Sequence, residues 1–307
     1  KGMFLHFKTH ETETDHLMDK GVFGTESKLY YRELIARFGH HLSMNWNLGE
    51  ENNQPIPEVV KAANYVSSLD TYKSHLVIHT FPNKDHRYDS LVGNQSLLTG
   101  ASLQLSHPDF NDVYGRVLKW RTKSNVTGKK WALAVDEPGN AKIALLPDDE
   151  DPEHNFARAR ALYGTLFAGG YGAEWYFGYA SPNSDLTCQD FRSRDLFWKQ
   201  NKIALAFFDK IPFWKMEPNN KLVEDTTSYC LAKEGELYAI YAETNADKIK
   251  INLGNSNQEY SIQWYNPRTG GKLQKGTIQF VLANGLVSLG NPPSELEKDW
   301  LVLIQKK

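Results

Sequence analysis

Along residues 1–212, short apolar runs alternate with stretches whose apolar residues recur every three or four positions. The runs predict strands at 3–8 (MFLHFK), 41–49 (HLSMNWNLG), 76–81 (LVIHTF), 101–106 (ASLQLS), 131–136 (WALAVD) and 173–177 (AEWYF). Helical spacing predicts a helix over 30–38 that stops at Gly39, and one over 57–69 that opens with Pro57. In the latter, Val59, Ala62, Ala63, Val66 and Leu69 share a face. Further helices are expected over 113–124, over 154–168 before Gly169–Gly170, and over 190–211 before Pro212. Strands and helices alternating in units of about 30 residues build parallel sheets. No Gly-rich phosphate fingerprint follows the first strand, and "GGYGAEWYFG" has glycines without the required spacing, so a nucleotide-binding sheet is disfavoured. The expected class is α/β, a (β/α)8 barrel present from about its third strand.

Beyond residue 213 the pattern changes. Runs at 228–232, 237–242, 248–253, 260–265, 277–281 and 300–305 sit between Gly, Asn and Pro turns, with "NPRTGG" (266–271) as a tight turn. This spacing predicts an antiparallel β-sandwich. The division drawn from sequence is a barrel portion over 1–213 and a sandwich over 214–307, with the boundary in "FWKMEPNNKL".

In barrels of this kind, functional groups lie at the C-terminal ends of strands, and two strands here end in acid pairs. In 42–51, Leu42, Met44, Trp46 and Leu48 share one parity, which suits the helix-facing wall. Ser43, Asn45, Asn47, Gly49 and Glu51 share the other, so alternation turns Glu51 inward and Glu50 toward the wall. The second pair is Asp136 and Glu137 in "WALAVDEPG", where alternation favours Asp136. Glu51 and Glu137 are 86 positions apart, close to three units of about 30 residues, which places them across a barrel mouth from one another. Two opposed carboxylates are what glycoside hydrolysis needs, one to protonate the leaving oxygen and one to attack or to activate water. Spacing alone leaves helix capping and cation binding open for such acids.

Composition narrows the choice little. Net charge is −2, which suggests neither nucleic acid nor an anionic membrane as partner, and no apolar run approaches the length of a membrane span. Two cysteines, Cys188 and Cys230, exclude a disulfide framework and a Cys-based zinc site. His10 and His16 in "HETETDH" lack H-E-x-x-H spacing, so no peptidase zinc site is expected. The acidic run Asp148, Asp149, Glu150, Asp151 and Glu153 reads as a solvated loop, with a calcium site as the lesser reading. Asn94 and Asn125 fit the N-glycosylation pattern.

The stretches HFKTHETETD, YYRELIARFGHHLSMNWNLGEEN, HTFP, LTGASLQLS, WALAVDEPG, LFAGGYGAEWYFGY and DLTCQDFRSRD together resemble bacterial apiosidase-like glycoside hydrolases. The tail, with WYNPRTG and DWLVLIQ, is similar to the β-domain that follows them, labelled a collagen-binding domain of a collagenase. The resemblance covers nearly the whole chain. It implies a clan of barrel hydrolases with an acid/base after the fourth strand and a nucleophile after the seventh. The motif W-x-L-G-x-acid gives Glu51 the acid/base position, and x-E-P gives Glu137 the nucleophile position against the parity of its strand; strand tips often bulge. Relatives often carry Asn or Gly where this chain has Glu50. Counted this way, GMFLHFK is the third strand. Strands one and two, and commonly an N-terminal β-domain, are then expected upstream, in a preceding segment or a separate chain that completes the barrel.

The expected substrate is a polysaccharide or oligosaccharide, cleaved with retention and without metal or cofactor, by a protein that is secreted or periplasmic. Substrate-binding candidates are Glu50, Asp136, His79 at the end of the fifth strand, Gln104 and His107 at the end of the sixth, Trp175 and Tyr176 at the end of the eighth, and Glu11 after the third. Each has a bland counterpart: a strand-end His is as often structural, and Trp175 and Tyr176 serve equally as barrel packing. The runner-up function is a non-catalytic carbohydrate- or matrix-binding protein on a barrel scaffold. A peptidase comes third, for want of a triad.

Overall fold

The computed structural model describes residues 4–180 and 190–307; Met3 of the first expected strand, and Cys188 with most of its motif, lie outside them. The chain forms two compact units, one of 1–108, 115–144 and 170–176, the other of 109–114, 145–169 and 177–307.

The first unit holds six strands: β1 (Leu5–Lys8), β2 (Met44–Asn47), β3 (His75–Val77), β4 (Gly100–Leu103), β5 (Ala132–Val135) and β6 (Gly172–Ala173). Its helices are α1 (Thr25–Phe38), α2 (Ile56–Leu69) and α3 (Val113–Val126). All strand pairings are parallel, in the order β1-β2-β3 and β4-β5-β6, and a parallel bridge between His79 and Ser102 joins the two ladders. Strand order therefore follows chain order, as it does in a barrel. Among the described residues no ladder joins β6 back to β1, so a closed eight-stranded barrel is not what the strands form. Side chains span that opening instead: the rings of Phe4 and Tyr171 lie 6.1 Å apart, and Lys8 Nζ lies 3.0 Å from Glu174 Oε1.

Alternation sets the two faces of β2. Trp46 packs 5.3 Å from the ring of Phe7, which also meets Phe38 of α1, and its Nε1 donates to Asp70 just beyond α2. The expected stripe of α2, Val59, Ala62, Ala63 and Val66, is buried. Full burial of each Val is worth about 1.5–3 kcal/mol. Gly100 opens β4 where a Cβ would lie 1.9 Å from the Ala132 carbonyl oxygen, so only glycine permits β4 and β5 to approach there. Two sequence expectations are corrected. Leu42 is not on the wall but 85 % exposed ahead of β2. The last strand stops at Ala173, so Trp175 and Tyr176 follow it rather than end it.

The second unit is built on a six-stranded sheet of order β12-β11-β14-β9-β8-β7. Its members are β7 (Glu217–Pro218), β8 (Ser228–Lys233), β9 (Leu237–Ala242), β11 (Glu259–Tyr265), β12 (Phe280–Leu282) and β14 (Trp300–Lys306), all antiparallel. A two-stranded ladder, β10 (Lys250–Asn252) with β13 (Leu286–Ser288), completes the sheet structure. Tyr238, Ile240, Ile262, Trp264, Trp300 and Val302 form one core together with Ile251 and Leu289. The opposite face carries helices. α4 runs as a π-helical stretch over Ala157–Tyr163 and an α-helical turn over Gly164–Phe167, and α5 spans Asp195–Phe208. Tyr163 stacks on Tyr241 at 4.3 Å, and Phe207 meets Tyr265 at 5.4 Å. This sheet is buried on both faces, which is why LYAIYA (237–242) is apolar throughout rather than alternating.

Two other expectations take definite form in this unit. The 266–271 turn closes on Asn266, whose Oδ1 accepts from the Arg268 and Thr269 amides. In the acidic run, Asp148 is tied to the buried His154 at 2.8 Å and to the Leu196 amide, while Asp149 and Glu150 remain exposed. No helix among the described residues is long and apolar enough to cross a membrane.

Asp299 is a buried ion held by several donors in the second unit. It is 4 % exposed and accepts from Arg158 Nε at 2.8 Å, Arg268 Nη1 at 2.7 Å and Tyr241 Oη at 2.6 Å. Burial alone would raise its pKa, but Arg158 and the other donors outweigh that and hold it below the usual carboxylate range. Because the folded value is depressed, its contribution is complete above the unfolded pKa of about 3.9 and is lost as pH falls through the folded value. Asp299→Ala should therefore cost about 3–5 kcal/mol at neutral pH by stranding two guanidinium groups. In urea titrations the loss should shrink below about pH 4; a variant as stable as wild type at pH 7 would contradict this.

Candidate active site

The site grows from the C-terminal ends of β1, β2, β4, β5 and β6 and from the chain just after β3. The tip after β2 is held on both sides. The Glu50 amide donates to the His10 carbonyl at 2.8 Å, the Asn52 amide to the His79 carbonyl at 2.7 Å, and the Thr12 hydroxyl to the Glu51 carbonyl at 2.6 Å. Gly49 turns the chain here with φ of 155°, where a Cβ would come 2.6 Å from Asn52 Nδ2 and 2.8 Å from His10 Cε1.

After this turn Glu51 adopts φ of 44°, and after β5 Glu137 adopts φ of 50°. Left-handed backbone in a non-glycine residue is uncommon and costs on the order of 1–3 kcal/mol. It also breaks strand alternation, so parity no longer decides which of two neighbouring acids turns inward. Both pairs consequently contribute two side chains. Asp136, following parity, is buried, accepts from the Ser102 hydroxyl and lies 3.3 Å from His6 Nε2. Glu137, turned by its backbone, meets the Gln104 amide: Nε2 donates to Glu137 Oε2 at 2.5 Å and to Glu51 Oε1 at 3.1 Å. Only the NH2 end of Gln104 can face two acceptors, which fixes the orientation of the amide.

Glu50 is 7 % exposed and also inward. Its Oε1 lies 3.1 Å from Lys8 Nζ and 2.7 Å from Nδ1 of His79, an imidazole with no exposed surface. The two form a buried ion pair. Burial would raise the Glu50 pKa, but His79 and then Lys8 reverse this and hold it at about 2. Glu137 goes the other way: burial, and after it the Glu50 carboxylate, push it up to about 7 against the pull of His79 and Lys8. Asp136 is likewise raised to about 7, first by burial and then by Glu174. Burial opposes charge on His79 as well, yet Glu50 and Asp136 raise its pKa overall. On His6 burial wins, and its pKa falls to about 4.

The structure thus gathers six of the expected residues, Glu50, Glu51, His79, Gln104, Asp136 and Glu137, into one cluster of neighbouring side chains. Glu11 bridges to Glu50 through the backbone, with its own side chain exposed. His107 is exposed beyond the end of β4, and Trp175 and Tyr176 are half-buried after β6. Three members were missed from sequence. His6 faces the Asn45 side-chain amide at 3.1 Å through Nδ1 and the Asn47 side-chain amide at 3.1 Å through Nε2, and Lys8 links Glu50 to Glu174. The signal for His6 and Lys8 was present: they are the polar residues at alternate positions of an otherwise apolar strand. Glu174 directly follows a strand, as the other acids do.

Comparison with known proteins bears on the fold. A crystal structure described as a glycoside hydrolase family 5 protein from Bacteroides vulgatus ATCC 8482 is similar over 99 % of this chain and 71 % of its own, with TM-score 0.73 and 15 % identity. Over that span the chain shares the fold of this protein. Endo-glycoceramidase II from Rhodococcus sp., solved as a lactosyl-enzyme intermediate, matches 92 % of this chain and 63 % of its own at 11 % identity, but with TM-score 0.36. Residues 218–305 match the family described as "Putative collagen-binding domain of a collagenase". No curated protein matches the sequence. The shared arrangement of parallel strands accounts for these side chains converging at the strand ends; the side chains themselves are this chain's own.

Lys8→Met tests the charge balance of the cluster directly. Removing the ammonium that faces Glu50 should raise the Glu50 midpoint by about 1 pH unit or more, read by carboxyl carbon NMR titration. An unchanged midpoint would mean that His79 alone keeps Glu50 ionised.

Proposed function

We propose that this protein is a glycoside hydrolase that cleaves O-glycosidic bonds of a polysaccharide or oligosaccharide through Glu51 and Glu137, with retention of configuration. The observation that carries the reading is the single Gln104 amide nitrogen within hydrogen-bond reach of both carboxylates. One shared donor favours a separation on the scale of about 5–5.5 Å, the spacing of retaining enzymes, over the roughly 6.5–9.5 Å of inverting ones. Two left-handed glutamates at facing strand ends support it further, since strain of this kind concentrates where geometry matters to function.

The roles follow the motif resemblance. Glu137 attacks the anomeric carbon as the bond to the leaving oxygen breaks, and Glu51 gives that oxygen its proton. Water then attacks the glycosyl ester, Glu51 takes the water's proton, and Glu137 leaves as carboxylate. Glu50 supplies a reason for the first step to proceed: forming the ester removes the charge from Glu137 and with it the repulsion between the two carboxylates. Gln104 and Lys8 are then available to sugar hydroxyls, and Trp175 and Tyr176 to a sugar face, while the buried Asp136 and His79 stand behind them. A secreted or periplasmic site of action accords with a polymeric substrate.

On a panel of glycans, Glu137→Gln and Glu51→Gln should each lower kcat/KM by at least about 10²-fold, with both variants folded by circular dichroism. If the wild-type protein binds glycans yet cleaves none, the scaffold-binding reading replaces this one. The pH profile assigns the roles. A nucleophile must be ionised, so with Glu137 raised to about 7, kcat/KM should climb as pH rises through that value. A fall over the same range would make Glu137 the proton donor and exchange the two roles.

A further inference from the structure

A cavity of about 310 Å³ lies within the second unit, and all its lining residues belong to that unit. Three of them, Arg158, Tyr241 and Asp299, are buried and give it a charged floor. Apolar side chains of similar volume serve a core at least as well as buried ions do, so a floor of this kind has more than stability to explain it. The wall supplies an independent sign. Arg158 and Ala159 lie in the π-helical stretch Ala157–Tyr163, and π-helical backbone is rare and occurs most often at functional sites. Nearer the solvent, Glu297 is exposed and its carboxylate has no hydrogen-bond or ion-pair partner among the described residues. Phe156 keeps 49 % of its surface exposed, although the Arg160 guanidinium lies over its ring at 4.2 Å.

We propose that this cavity is a binding site for a neutral mono- or disaccharide. Its volume is at the lower end of small-ligand pockets, which run from about 300 to 1,000 Å³, and suits one or two sugar rings. The lining carries both signs of charge: Glu243, Glu297 and Asp299 accept hydrogen bonds, and Arg158 and Lys298 donate them. A hydroxyl does both, so a sugar can satisfy this lining, whereas an anion or a polyamine would meet like charge. Asp299 is already occupied by Arg158, Arg268 and Tyr241, and Glu243 by Arg160 at 2.9 Å, so Glu297 is the acceptor left wholly to a ligand. The open part of the Phe156 ring offers its electron-rich face to the C–H side of the sugar. The site stands whether or not Glu51 and Glu137 cleave glycans.

Amide NMR of the full chain, titrated with glucose, galactose, xylose, cellobiose and lactose, tests the site. At least one sugar should shift the amides of Ala159 and Thr244, both in the cavity lining, and the shifts should saturate. Phe156→Ala should weaken that binding at least about tenfold, and Glu297→Ala, at an exposed position, decides the matter if Phe156→Ala fails to fold. No shift at Ala159 and Thr244 with any of the five sugars, or wild-type affinity in the folded variant, would overturn the proposal. So would tighter binding of glucuronate or glucosamine than of every neutral sugar. Shifts confined to Gln104 and its neighbours would also overturn it, while placing sugar at the acids instead. Saturable shifts at Ala159 and Thr244 in a protein that cleaves no glycan would leave the proposal standing and remove only the hydrolase reading.

Discussion

One amide nitrogen holds the site together. Gln104 Nε2 donates to Glu51 and to Glu137 at once, and so couples the tips of β2 and β5 through a residue just beyond β4. The arrangement depends on two further constraints. Gly49 must turn the chain where no side chain fits, and each glutamate must hold a left-handed backbone that alternation along a strand would not supply. The parallel ladder and its buried helix-facing layer, with Trp46 anchored on Asp70, keep those tips in register and offset the local strain.

Electrostatics divides the carboxylates that this geometry crowds together. Glu50 stays ionised because His79 and Lys8 face it, and Glu137 gains proton affinity first from burial and then from the facing Glu50. Groups of one chemical type driven apart in pKa by their surroundings are a common basis for distinct catalytic roles. Here the motif resemblance makes Glu137 the nucleophile, while its raised pKa would also suit a proton donor. The repulsion that raises the pKa is also what ester formation relieves, so the two observations are compatible.

Much of this was legible in the sequence, for identifiable reasons. All six parallel strands and their helices follow from alternation and 3.6-residue spacing, because burial on one face leaves a periodic trace. Glu51 was picked out by parity and then by motif, and Glu137 by motif against parity; the structure brings both within reach of Gln104. What alternation could not show was the left-handed turn at each acid, since φ above zero at a glutamate leaves no compositional mark as it does at glycine. His6 and Lys8 were passed over because the first strand was read for its apolar residues alone. In the second unit, the fully apolar run 237–242 signalled a sheet covered on both faces, but the aromatic residues that cover it, Tyr163 and Phe207, lie far away in sequence.

The most direct test of the account is covalent trapping. A panel of activated 2-fluoro glycosides slows hydrolysis of a glycosyl ester, and peptide mapping by mass spectrometry locates the label. The account predicts a sugar bound to Glu137, with Glu51 unmodified. Label on Glu50 or Glu51, or steady hydrolysis of unfluorinated analogues while no fluoro sugar is ever captured, would contradict the proposal that Glu137 is the nucleophile of a retaining pair.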